Sequence, residues 1–277
     1  MRRNFLAMVR KALADRYTVE RELARGGAAR VFAARNRDGR LVALKILHPQ
    51  LAVSVTADRF LREIGILSQL EHPRIASLLD YGEAEWLLYY VMDYVEGPTL
   101  REHLTRRERA SLDDTVDIAR KLLDALEYAH GRGVVHRDVK PDNVVLSAEG
   151  AVLLDFGIAR AIATAGTDRL TRSGFAVGTS AYMSPEQVEG EPDIDYRSDI
   201  YSLGCVLFEC LAGRPPFTAA REDIVLRMHV EQHAPDVSEF RSDAPPALAV
   251  AVARALQMRR EERWQSAAEM RRALEAV

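Results

Sequence analysis

The chain changes character once. Up to Val95 its apolar residues mostly alternate in short runs, and after the break at Glu96-Gly97-Pro98 they recur three and four apart. Alternation puts every second side chain on one face of a strand, whereas spacing by three and four puts them on one stripe of a helix. Strands and helices segregated in this way point to an α+β architecture with an antiparallel sheet, not to alternating units around a parallel one.

Between Tyr17 and Ile46 the alternating runs are interrupted at Gly26-Gly27 and at Asp38-Gly39, the second a hairpin signal, so three antiparallel strands are expected. Ile75 to Tyr81 and Glu85 to Val95 read as two more, completing a five-stranded sheet in a small lobe of residues 17–95. One helix interrupts them, predicted over Ala57 to Leu70 from the recurrence of Phe60, Leu61, Ile64, Leu67 and Ser68. Residues 1–16 form an amphipathic extension with Phe5, Val9, Ala12 and Leu13 on one side, expected to pack on that lobe. Residues 96–277 are expected to form a mainly helical large lobe, with helices at Leu100 to Leu104, Ser111 to Gly131, Asp199 to Ala212, Ala220 to Glu231, Pro246 to Met258 and Ser266 to Ala276. At 277 residues the chain suits two lobes sharing a cleft.

The formal charge, 38 − 41 = −3, offers no basic field for nucleic acid or an anionic membrane. No apolar run reaches the roughly 18 to 20 residues that cross a bilayer, and no signal peptide pattern opens the chain, so a cytoplasmic location is expected. Cys205 and Cys210 lie five apart in an apolar helical run, on different faces, and read as small core residues.

The chemistry concentrates in His136-Arg137-Asp138-Val139-Lys140-Pro141-Asp142-Asn143, followed one hairpin later by Asp155-Phe156-Gly157. These residues place a base, a cation and two hard oxygen ligands at fixed intervals, the grouping that transfer of a terminal phosphoryl group requires. The chain resembles the eukaryotic-type (Hanks-type) serine/threonine protein kinases, bacterial branch, from about Tyr17 onward. Val42-Ala43-Leu44-Lys45 is similar to their lysine-bearing third strand, and Glu63 to the glutamate of their helix C. Gly178-Thr-Ser-Ala-Tyr-Met-Ser-Pro-Glu186 resembles the end of an activation segment, Arg197-Ser-Asp199-Ile-Tyr-Ser-Leu-Gly204 the start of the central helix, and Arg263 the arginine that pairs with Glu186. Basic residues number 34 Arg and only 4 Lys, and two of those lysines, Lys45 and Lys140, fall on the positions the resemblance assigns to phosphate contact, where a compact ammonium is not replaced by a planar fork.

The resemblance implies ATP and Mg²⁺, with Mn²⁺ as a substitute, and protein substrates phosphorylated on Ser and Thr. It implies that Asp138 accepts or orients the substrate hydroxyl proton, that Lys140 stabilises the transferring group, and that Lys45, held by Glu63, reaches the phosphates. Asn143 and Asp155 are the implied metal ligands. Leu23, Gly26, Val31, Ala43 and Val145 would surround the nucleotide, with Met92 as gatekeeper and the backbone of Asp93 and Val95 on the adenine edge. Leu67, Leu78, His136 and Phe156 would stack as a spine. Arg137 is expected to meet phosphate on the activation segment, Thr171 and Ser173 are the implied autophosphorylation sites with a second copy of the chain as the trans partner, and Thr179 would bond Asp138 and Lys140.

The phosphate-covering loop departs from the family pattern, since Ala24 and Ala29 stand where glycines are usual. A β-carbon is costly in left-handed backbone, so weaker ATP binding or a displaced loop is expected. A pseudokinase or scaffold that binds nucleotide weakly is the alternative reading. A small-molecule phosphotransferase is disfavoured by the Gly-Thr…Pro-Glu segment.

Overall fold

The computed structural model describes residues 2–26, 29–48, 57–156 and 180–275. They divide into two compact units, one of residues up to 71 together with 76–95, the other of 72–75, 96–156 and the remainder.

The first unit is built on five antiparallel strands, β1 (Thr18–Arg25), β2 (Ala29–Arg35), β3 (Leu41–Leu47), β4 (Leu78–Ala84) and β5 (Leu87–Asp93), in the order β1-β2-β3-β5-β4. Among the described residues its helices are α1 (Arg2–Ala12) and α2 (Ala57–Leu67). Alternation gives the sheet two distinct faces. Phe32, Ala34, Val42, Leu44, Ile46, Tyr89 and Val91 point to one of them, sealed by Val9 of α1 and by Leu13 just past its end, both fully buried. Burying a side chain of that size is worth about 1.5–3 kcal/mol. Arg10 of α1 fixes the helix at the edge strand by donating from Nε to Val19 O at 2.8 Å and from Nη2 to Glu20 O at 2.6 Å. The amphipathic extension is thus an integral layer of the first unit.

The Asp38-Gly39 turn follows its signal in a longer form. Gly39 takes a φ of +78°, and Asn36 Oδ1 accepts the N–H groups of Asp38 and Arg40. The fourth strand differs from expectation, starting at Leu78 instead of Ile75. Ile75 makes a parallel bridge to Leu153 in the second unit, so its apolar character serves that core.

The second unit contains α3 (Leu100–Arg107), α4 (Leu112–His130), the hairpin β6 (Val144–Ser147) and β7 (Gly150–Leu153), α5 (Pro185–Glu189), α6 (Arg197–Ala212), α7 (Glu222–Glu231), α8 (Pro246–Ala255) and α9 (Ala267–Ala273). Helix starts carry their caps: Thr99 and Glu102 form a capping box for α3, and Ser111 accepts from Asp114 N at the start of α4. Helix α6 is buried from Ser198 to Leu211 and is the hub of the unit. It packs so closely on α8 that a β-carbon at Gly204 would sit 2.9 Å from that of Ala255. Cys205 and Cys210 are free thiols within it, fully buried, with their pKa pushed up by burial.

The pair expected between Glu186 and Arg263 is present and bidentate, with both N–O distances 2.7 Å and Arg263 completely buried. Burial pushes the Glu186 carboxyl up, but the hydrogen bonds and charge of Arg263, with Ser198, more than offset it and hold the group below its ordinary range. Stability from this pair is therefore present above the ordinary carboxylate titration point and lost as pH falls through the lowered native value. Arg263→Ala strands Glu186 in the core, and the expected loss is about 3–5 kcal/mol in urea unfolding near neutral pH, with a shallower acid-side fall in stability than wild type.

Candidate active site

Four of the six nucleotide-site residues on the first unit's strands, Val31, Ala43, Lys45 and Met92, share the sheet face opposite α1. Val31 pairs across the strands with Lys45, Lys45 with Tyr90, and Ala43 with Met92, and Ala43 and Lys45 are two apart in β3. Lys45 is buried, its Nζ 5.9 Å from the Tyr90 ring centroid. Glu63 lies half-buried on α2. Leu23 is in β1 next to an irregularity in its pairing with β2, and Gly26 follows the strand, its N–H donating to Ala29 O at 2.9 Å. Asp93 N–H is committed to Ser77 O at 3.0 Å, and its carboxylate takes Arg40 and the Ser77 N–H. Val95 follows it, half-buried.

Ala24 and Ala29 differ from the left-handed backbone expected of a glycine position. Both are strand residues with ordinary negative φ, Ala24 paired with Val31 and Ala29 with Leu47. No left-handed backbone is strained by their β-carbons, so backbone strain gives no ground for weakened ATP binding.

In the second unit the motif folds into a tight network. Asp138 accepts from Lys140 Nζ at 2.9 and 2.7 Å through its two carboxylate oxygens. Asn143, at the end of a 3₁₀ turn over Pro141–Asn143, donates its amide hydrogens to Asp138 O at 2.8 Å and Asp138 Oδ2 at 3.0 Å, which leaves Asn143 Oδ1 as its acceptor. The turn is closed by Asn143 N–H on Lys140 O, and Leu154 N–H on Asn143 O ties it to the segment after β7. Val145, in β6, is buried.

His136 is structural, as expected. Its Nδ1 accepts from Asp138 N–H at 3.1 Å, its Nε2 donates to Leu154 O at 2.7 Å, and Phe156 packs edge-on at 4.6 Å between centroids. Asp155, between these two contacts, has a φ of +62°, and Arg137 one of +68°. Such backbone costs about 1–2 kcal/mol per residue and persists only where the surroundings enforce it.

At Arg137 the enforcing group is Asp199, whose role the sequence leaves open. It is fully buried at the start of α6 and accepts the N–H of His136 at 2.8 Å and of Arg137 at 2.7 Å, while His130 Nε2 lies 2.8 Å away. Burial pushes its carboxyl up, but the His130 hydrogen bond and charge, with the Arg137 amide, bring it below its ordinary range. Gln187 was also missed: its Nε2 donates to Arg137 O at 2.8 Å while its Oε1 caps Ser184, so the helix after the activation segment is bonded to the catalytic loop. The S-x-x-Q capping pattern was a visible signal for it. The Arg137 guanidinium donates to Ile194 O. Thr171, Ser173, Thr179 and Gly157 lie outside the described residues.

Asn143 Oδ1 and the Asp155 carboxylate are hard oxygen donors of the kind Mg²⁺ takes. Among the described residues no group of three or more His, Cys, Asp or Glu could hold a metal ion.

Residues 17–273 match the protein kinase domain family. The chain belongs to that family. Curated relatives include the serine/threonine-protein kinase PknB of Mycolicibacterium smegmatis, 41% identical over 266 residues that cover 94% of this chain and 42% of that protein. A probable serine/threonine-protein kinase of Streptomyces coelicolor is 41% identical over 273 residues, 96% of this chain and 40% of that protein. A probable PknB of Bifidobacterium longum is 39% identical over 268 residues, 92% and 39% respectively. The chain therefore spans about two-fifths of the length of these relatives.

Since Ala24 and Ala29 are unstrained in this protein kinase domain, Ala24→Gly and Ala29→Gly are each expected to lower stability by about 0.5–1 kcal/mol through added unfolded-state entropy. Calorimetry should show no gain in nucleotide affinity from either.

Proposed function

We propose that this kinase domain is an active enzyme that transfers the γ-phosphoryl group of ATP to Ser and Thr hydroxyls of proteins. The observation that supports it most is the Asp138 carboxylate, oriented by Lys140 Nζ on one side and the Asn143 amide on the other. An oriented carboxylate can accept the proton of an incoming hydroxyl, and Lys140, beside it, can follow charge onto the transferring phosphoryl group.

Asn143 and Asp155 would hold Mg²⁺, which neutralises phosphate charge when bound, and Mn²⁺ offers the same oxygen preference. Lys45 would contact the α- and β-phosphates, positioned by Glu63, with Val31, Ala43 and Met92 lining the adenine and the Asp93 carbonyl and Val95 backbone reading its edge. Arg137 would gather a phosphate on Thr171 or Ser173, added in trans by a second copy. Thr179 would bond Asp138 and Lys140 and shape the substrate pocket. Among the described residues no helix is long and apolar enough to cross a membrane. A cytoplasmic setting suits the supply of ATP.

Incubation with labelled ATP and magnesium should label the wild-type chain and a generic protein substrate. Asp138→Asn is expected to lower the rate about 10²–10⁴-fold at unchanged folding. Mass spectrometry of the wild type should place the label on Thr171 and Ser173, and labelling only elsewhere would contradict the regulatory assignment.

A further inference from the structure

The turn that precedes β2 springs from a β1–β2 stem held by an unusual side-chain cluster. Arg30, at the start of β2, is buried to 7% exposure and pairs bidentately with Glu22 of β1, Nε–Oε1 at 2.8 Å and Nη2–Oε2 at 2.5 Å. Arg25 adds two longer contacts, at 3.2 and 3.3 Å, to the same carboxylate. The hydrogen bonds of Arg30 hold the Glu22 carboxyl down to about 2, with Arg25 contributing and burial opposing. Glu22 stands opposite Phe32 and Arg25 opposite Arg30, so the Glu22–Arg30 pair crosses the hairpin diagonally and ties both strands just below their turn.

The cover on this ion pair comes from α1, outside the matched family region of residues 17–273. The ring of Phe5 lies 4.2 Å from the Arg30 guanidinium carbon, stacks on Phe32 at 6.4 Å and meets Trp86 edge-on at 6.4 Å. An aromatic face over a guanidinium attracts it and keeps water off the pair beneath, which strengthens the pairing and cuts the freedom of both strands. Two of the glycine positions usual for this loop, Ala24 and Ala29, lie inside the same stem and are fully strand-paired.

We propose that Phe5 and Arg30 are positioning residues for nucleotide: α1, acting from the sheet face away from Lys45, locks the β1–β2 stem and pre-orders it for the phosphates. The inference rests on the nucleotide-binding reading above. It assigns to the N-terminal helix a role in ATP affinity beyond that of core cover, exerted through one aromatic ring.

The test uses the whole chain and three readouts: Kd for Mg²⁺-ADP by calorimetry, KM and kcat for ATP, and melting temperature. Phe5→Ala is expected to raise Kd and KM about three- to tenfold through lost preorganisation, with kcat within about twofold, and Phe5→Tyr to restore both. Arg30→Met should reproduce the effect and add little to Phe5→Ala in the double variant, since both break one linkage; it also carries the test should Phe5→Ala fail to fold. Val9→Ala removes packing of α1 without touching Arg30, and should lower the melting temperature while leaving Kd and KM alone. Unchanged nucleotide binding in Phe5→Ala beside a wild type that binds overturns the inference alone, as does an equal loss in Val9→Ala. A wild type that binds no nucleotide overturns the underlying reading with it.

Discussion

One buried carboxylate sets the geometry on which the catalytic loop depends. Asp199 sits where water cannot reach it, and a charge so placed is tolerated only because His130 and two successive backbone amides surround it. The second of those amides belongs to Arg137, whose left-handed backbone is the unfavourable conformation that this contact offsets. The turn at Arg137 then delivers Asp138 to Lys140 and Asn143. Helix α6, buried along nearly its whole length, makes the carboxylate an immobile reference point.

The same helix collects the other polar ties of the second unit. Ser198 donates to Glu186, which Arg263 holds from beyond the end of α8, and Ser202 donates to Tyr182 O. Glu209, one turn from the end of α6, accepts from Tyr182 at 2.5 Å and from Arg101 of α3 at 2.6 Å. Residues after the activation segment are thereby bonded to the element that fixes the catalytic loop. In the first unit the division of labour is between sheet faces: one is a closed apolar core under α1, which frees the other to carry Val31, Ala43, Lys45 and Met92.

Much of this was legible before any coordinates. Strand alternation and the Glu96-Gly97-Pro98 break follow from local rules, and so did the strands and most helix positions. Asp138, Lys140 and Asn143 were legible because their spacing lies within one turn of chain. Asp199 was not, because its partners lie 62 and 63 residues away and a buried aspartate in the first turn of an apolar helix looks like an ordinary N-terminal acid. Ile75 misled because an apolar residue shows that it is buried, not in which core. Ala24 and Ala29 misled in another way: the cost of a missing glycine depends on φ, and φ at these positions is that of a strand. Arg30 gave no signal at all, since only the fold puts Phe5 over it.

The central claim is that Asp199 clamps the backbone at His136 and Arg137, and amide hydrogen exchange reads it directly. If the clamp sets the loop, the His136 and Arg137 amides exchange as slowly as those in the middle of α6, opening only with global unfolding. Exchange of these two amides at the rate of exposed loop positions, while α6 stays protected, would contradict the account.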